Sequence, residues 1–379
     1  MAVEILMLKH WNGAWKQSFA GIRPCLLSAA SSEFLSYSGD INQRHINLML
    51  SQSDPSITIT DSLDHLNGNE FVEMMIIDGC FLLELFQRRY YMYQDSDQAN
   101  DPITNMDFMI QYLCHDLLLL ENQLPWFVLE SLHRLIGKNQ VPLTMLVLNF
   151  FSRLSSMSRY CKGYFKHTHD EEILHILDLL RSAIVVPFQK FESTEYDNAL
   201  PHATALLEAG IEFRRSSVDG IMNIDFKDGV LTIPQLAIEE MTEPLFRNLI
   251  AFEQCHHGRE NKVTSYALIL DNLIASSKDV VFLCDKQIIH NWLSAEDVSQ
   301  LFGKLHCDTF TVGFCYGGLC AEVNNYYQAT WNKWLAGLKR DYLSNPWKIT
   351  SLVVAFILLL VLTLLQTTYT IQQYYHPHQ

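Results

Sequence analysis

A run of 23 residues without a charge, Ile349–Ile371, constrains this chain more than any other feature. Its centre, Leu352–Leu365, holds one Thr among thirteen apolar side chains. Wound as a helix rising about 1.5 Å per residue, the run reaches roughly 34 Å, slightly more than a bilayer's hydrocarbon core. A helix that is apolar all round needs either protein interior or lipid around it. Twenty-three charge-free residues close to the C-terminus favour lipid.

The flanks sharpen the expectation. Asn345-Pro346 offers a capping acceptor followed by a first-turn proline. Trp347 on one side and Tyr369, Tyr374 and Tyr375 on the other suit the two polar–apolar interfaces. Lys333, Lys339, Arg340 and Lys348 precede the run, and no Lys or Arg follows it. The positive-inside bias therefore puts the body in the cytosol and Gln372–Gln379 across the membrane, a single-pass, tail-anchored topology. The opening MAVEILMLKHW carries Glu4 and lacks the basic start and apolar run of a signal peptide. Twenty Asn residues form no Asn-x-Ser/Thr acceptor, which also fits a cytosolic body. Nine Cys without CxxC spacing read as small apolar core residues. The span suits endoplasmic reticulum and plasma membrane alike.

All Asp, Glu, Lys and Arg precede the run, so the net charge of −15 belongs to the body. An acidic body argues against a nucleic-acid partner, which requires a basic footprint. Its partners are expected to be the bilayer and another protein. Hydrophobic content of 49% is enough to bury a core and excludes extended disorder for most of the chain.

The pattern predicts a mainly α fold: a large helical soluble domain with a small β-hairpin, followed by one C-terminal transmembrane helix. Glu70–Arg89 reads as a buried helix perturbed at Gly79. Tyr93–Asn105 reads as a polar loop. Helical patterns recur at Asp107–Glu121, Trp126–Gly137, Pro142–Cys161 and Asp170–Val186, before a linker at Gln189–Leu200. Ala203–Ala209 is a short helix stopped by Gly210. Ile221–Phe226, a Lys227-Asp228-Gly229 turn and Val230–Ile233 predict the hairpin. Helices resume at Thr242–Gln254 and Ser265–Ala275, and Asp279–Leu283 suits either a short strand or a helix. Ser294–Leu305 opens with a Ser294/Asp297 capping box. In Ala321–Ser344, Val323, Tyr327, Trp331, Trp334, Leu338 and Tyr342 share one face. That helix either packs on the core, the preferred reading, or dips its aromatic edge into the headgroup zone.

Chemistry is harder to find. No phosphate loop, dinucleotide fingerprint, GxSxG elbow or HExxH helix occurs. Gly313–Gly318 reads as a turn. His167, His169 and His175 lie beside Asp170, Glu171 and Glu172, but their spacing is off a single helical face, and a solvated helix start is the better account. Cys255-His256-His257 has no second cluster to complete a metal site. Asp78, Glu84, Asp116 and Glu121 sit in apolar helices, where carboxylates need partners. Arg247, Asn122, Asn248 and helix termini are the candidates. A buried structural network is the favoured account of these acids, and acid–base catalysis across a cleft the alternative.

Nine blocks stand out together: Glu70–Phe86, Asp116–Leu132, Ala209–Phe213, Leu231–Ile238, Arg247–Cys255, Asp271–Val281, Ile288–Leu293, Tyr326–Leu335 and Pro346–Tyr369. In this order they resemble the plant membrane proteins that carry domain of unknown function 247. The resemblance implies a mainly helical plant protein with one C-terminal membrane span. It implies no catalytic residue, no cofactor and no metal, and the recognition role of some grass members implies partner binding. Met1–Asp64 lacks the Tyr/Pro stretch and the Ile-Gly-Pro segment usual upstream of the first block. The expected organisation is a divergent, partly irregular segment (1–64), a helical family domain (65–320), an amphipathic juxtamembrane helix (321–345), the span (346–371) and a short tail (372–379). The expected function is membrane-anchored interaction or recognition. A tethered enzyme using the embedded carboxylates and a truncated, nonfunctional family copy are the alternatives.

Overall fold

The computed structural model describes residues 68–91, 107–136, 141–152, 154, 157, 172–188, 199–218, 220–256, 258–305, 309, 313–329 and 346–375. Expectations for Met1–Asp64, the loop Tyr93–Asn105, most of the 189–200 linker and the aromatic positions Trp331–Tyr342 lie outside these residues.

The fold is mainly helical with a few short strands. Helix α1 (Gly68–Tyr91) runs unbroken through Gly79. That glycine has a packing role: a Cβ there would lie 2.5 Å from Leu132 Cδ1, so its absence lets α3 (Trp126–Ile136) lie close against α1. Between them come α2 (Asp107–Leu118) and a single 3₁₀ turn at Leu120–Asn122. Helix α4 (Leu143–Phe151) packs on α1 through an edge-on Phe86–Phe150 pair with centroids 5.2 Å apart.

Helix α5 (Ile176–Val185) is buried at every position, which explains its nearly continuous apolar sequence. Its His175 N-cap accepts from the Asp178 amide at 3.2 Å, so the helix starts later than the acidic run suggested. Helix α6 (Ala203–Glu208) ends through bonds from Gly210 and Ile211 back to Leu207 and Leu206, with Gly210 at φ 92°, the left-handed stop expected there.

A three-stranded sheet follows, in the order β1 (Glu212–Ser216), β3 (Val230–Pro234), β2 (Asp225–Lys227). The hairpin forms with Lys227 opposite Val230, and Asp228 and Gly229 both take positive φ, as a tight primed turn requires. Its first strand is shorter than the alternation implied. Ile221, Met222 and Ile224 are instead buried in the loop before it, where Met222 O accepts from the buried Tyr316 hydroxyl at 2.7 Å. The parallel β1–β3 pairing and a second parallel pair, β4 (Leu236–Ile238) with β5 (Ile289–Asn291), were not foreseen.

Helices α7 (Thr242–Cys255), α8 (Lys262–Leu273), α9 (Ser277–Asp285) and α10 (Ala295–Leu305) complete the core, with α9 resolving the ambiguity at Asp279–Leu283. Ser294 and Asp297 make half of the expected box: the Asp297 amide donates to Ser294 Oγ at 3.1 Å, while the Asp297 carboxylate accepts from that hydroxyl and not from the Ser294 amide. Helix α11 (Gly317–Gln328) starts within the anticipated glycine turn and stops where Ala329 turns extended. It rests on the hairpin, Tyr326 lying edge-on to Phe226 at 5.7 Å. The last described element, α12 (Pro346–Tyr375), contains Val353–Ile371, long and apolar enough to cross a membrane and with none of its length buried in the protein.

Candidate functional site

Four charged side chains converge where α5, α7, the loop after α7 and the start of α8 meet. Glu253 lies in the last turn of α7, four and seven residues after Leu249 and Phe246, and so falls on the buried face. Its Oε1 accepts from Arg181 Nε at 2.8 Å and the Val263 amide at 3.0 Å. Its Oε2 accepts from the Thr264 amide and hydroxyl, both at 2.9 Å. Asn261, the residue preceding α8, makes no side-chain cap. Glu253 therefore caps α8 from another helix, placing an anion at its positive end. Arg181 also donates through Nη2 to Glu260 O at 2.6 Å, which ties the intervening loop to α5.

The second pair sits beside the first. Asp178 Oδ2 accepts from Arg259 Nη2 at 2.7 Å and from the Leu174 amide at 3.0 Å. Arg259 Nη2 reaches Glu172 O at 2.7 Å as well. Two carboxylates thus face two guanidiniums, with Asp178, Glu253 and Arg181 buried and Arg259 partly exposed, and each pairing offsets part of the cost of desolvating its charges. His175 packs edge-on against Phe252, centroids 4.7 Å apart, and His256 lies on the same ring at 5.6 Å. Burial, reinforced by His256 and Arg259, pushes the His175 imidazole down to about 3. Its neutral form is the one whose Nδ1 can accept from the Asp178 amide.

A separate carboxylate, Asp279, is also fully buried. Its Oδ1 accepts from the Thr204 amide at 2.9 Å, the Thr204 hydroxyl at 2.8 Å and His202 Nδ1 at 3.2 Å. Its Oδ2 accepts from Ser276 Oγ at 2.7 Å. Burial alone would raise this carboxyl, but the bonds from Thr204, Ser276 and His202 outweigh it and hold it below its ordinary value. The first turns of α6 and α9 are joined through this one side chain.

The acids singled out from sequence lie elsewhere. Asp78, Glu84 and Asp116 are partly exposed and Glu121 is exposed, so these four are not the fully buried acids that were expected. Glu84 pairs with Arg88 one turn on, at 2.6 Å. Asp116 sits 3.5 Å from His115, and Asn122 donates to its backbone carbonyl instead of its carboxylate. Arg247 is engaged by Glu243 on the surface, and Asn248 caps the Leu120 amide at 2.9 Å. The helical faces at Asp78, Glu84 and Asp116 turn their acids toward the rim of the core.

Of the histidine candidates, His175 and His256 come together, through Phe252 and not around a vacant coordination position. Among the described residues no three His, Cys, Asp or Glu side chains are placed to hold a metal. His167, His169, Asp170, Glu171 and His257 lie outside those residues. Burial raises the Cys255 thiol while burial and Arg259 lower His256, the reverse of what a thiolate–imidazolium pair needs. Sequence reasoning missed Asp178, Arg181, Glu253, Arg259 and Asp279. The signal for Glu253 was its helical phase, and for Asp279 the Ser276-x-x-Asp279 cap spacing.

Comparison with known proteins adds a family. Residues 56–361 match a family described as plant protein of unknown function, DUF247. UPF0481 protein At3g47200 of Arabidopsis thaliana is 31% identical over 338 residues, 81% of this chain and 69% of that protein. Putative UPF0481 protein At3g02645, from the same plant, is 23% identical over 202 residues, 52% of this chain and 36% of its own length. No solved structure matches the chain.

Proposed function

Since this chain belongs to the DUF247 family of plant proteins, whose function is unknown, we propose that it is a single-pass membrane protein that works by binding a protein partner. The observation that carries the anchor is α12: Val353–Ile371 has a mean hydropathy of 2.1, and none of it is covered by the rest of the protein. In water such a helix would expose Phe356, Leu358, Leu359, Leu362 and Leu364, each more than half accessible. Lipid removes that cost. The basic residues that precede the span orient the body toward the cytosol, with α12 serving as a tail anchor.

The binding role rests on how the buried acids are used. Glu253 and Asp279 spend their oxygens on helix amides, hydroxyls and cations, which makes them fasteners between helices. Anchoring then supplies what a recognition protein needs, a raised effective concentration toward other membrane components.

Extraction tests the anchor: the protein should remain with membranes in alkaline carbonate, and release would overturn it. Protease should digest the body of sealed microsomes from outside, and protection of the body would reverse the topology. Proximity labelling from the native protein, against a variant lacking residues 346–379, should enrich membrane-associated proteins. Equal labelling by both would remove the case for recognition at a membrane.

A further inference from the structure

Four polar side chains in the apolar run of α12 share one side. Thr363, Gln366, Thr367 and Thr370 fall within about a third of the helix circumference. The hydroxyls are satisfied within the helix. Thr363 Oγ1 donates to Leu360 O at 2.8 Å, Thr367 Oγ1 to Thr363 O at 2.9 Å and Thr370 Oγ1 to Gln366 O at 2.7 Å. Outward they offer small, methyl-bearing surfaces that let another backbone come near.

Gln366 differs. It lies five residues inside the end of Val353–Ile371, about 7 Å along the axis, with its side chain exposed on the helix surface. Its amide carries two donors and an acceptor, and the helix gives that amide no partner. Hydrocarbon gives it none either. Its place in the sequence is equally telling. Phe356, Leu359, Thr363, Gln366 and Thr370 are spaced three, four, three and four residues apart, the repeat that lines the seam between two parallel helices.

We propose, granted the membrane anchor argued above, that α12 pairs in parallel with α12 of a second copy along this seam, Gln366 bonding to Gln366 across it. The occupant follows from chemistry. Copies inserted with one orientation hold the same residue at the same depth, so a polar group can meet only its own kind there. An amide is complementary to itself, donating and accepting at once, whereas a carboxylate or ammonium would repel its copy. A different protein would need a matching polar group at that depth; a second copy carries it already.

The test uses full-length protein bearing donor or acceptor fluorophores at the N-terminus, reconstituted in phosphatidylcholine vesicles. Energy transfer should appear and fall on dilution with unlabelled protein. Gln366→Leu should weaken association about fivefold, the scale of one hydrogen bond within a membrane. Gln366→Asn should retain pairing, and Thr368→Val, on the far side of the helix, should leave it unchanged. Transfer that Gln366→Leu leaves intact would overturn the seam. Carbonate extraction of the same vesicles separates the two readings: protein that washes off overturns the anchor, and protein that stays but shows no transfer overturns the pairing alone.

Discussion

Arg181 and Glu253, 72 positions apart in the chain, meet at 2.8 Å with side chains 4% and 0% exposed. The contact joins α5 to α7, and through the amides of Val263 and Thr264 it also fixes the start of α8. Arg181→Met strands a buried carboxylate and should cost about 3–5 kcal/mol. Glu253→Gln keeps the shape but loses acceptor capacity, and should cost less. Urea unfolding of the detergent-solubilised protein, followed by tryptophan fluorescence, measures both.

Asp279 supports a second prediction. Asp279→Ala leaves the Thr204 amide, the Thr204 hydroxyl and Ser276 without their acceptor, at about 1–3 kcal/mol for each buried group abandoned. Asp279→Asn retains an acceptor and should recover part of the loss. Hydrogen exchange should quicken in α6 and α9 together, because one carboxylate serves both.

Acid should destabilise the body in two stages. His175 titrates near 6.5 when unfolded but at about 3 when folded, so between those values the unfolded chain binds the extra proton. Stability should fall with falling pH through that window, by up to about 1.4 kcal/mol per unit from this residue. His256 and His133, also lowered by burial, act in the same direction. Asp279, held below its ordinary value, keeps its contribution above about pH 4 and loses it only further down. His175→Asn can still cap α5 but does not titrate, and should flatten the upper stage of a melting-temperature profile taken from pH 7 to 4.

Gly229 makes a fourth case. It holds φ at 80°, and a Cβ there would meet the Tyr326 hydroxyl at 2.5 Å. Gly229→Ala therefore combines a strained turn with a displaced ring and should cost about 1–3 kcal/mol. Faster exchange in Gly317–Gln328 than in α7 would locate the damage at the hairpin–α11 contact.

Local features were legible in the sequence: the oily C-terminal helix, the Asp228-Gly229 turn, the Gly210 stop and the Ser294 cap on the Asp297 amide. Each is written within a few neighbouring residues. The parallel pairings β1–β3 and β4–β5 were not, since Leu236 and Ile289 share no local pattern that foretells their register. The candidate site failed for a related reason. Asp78 and Glu84 stand out in apolar surroundings yet reach the rim, while Glu253 sits among polar neighbours and points inward. Neighbours along the chain gave the wrong answer; rotation around α7 held the right one. Asp178 and Arg259 pair only once an 81-residue separation has been closed.

Tyr326 over the hairpin also has a mechanical meaning. Of the described elements, α11 is the nearest in sequence to α12, and it is held to the β-strands at one aromatic contact. A pull applied to α11 would bear on the β-strands through the aromatic clasp of Tyr326 on Phe226, where Gly229 leaves the ring room.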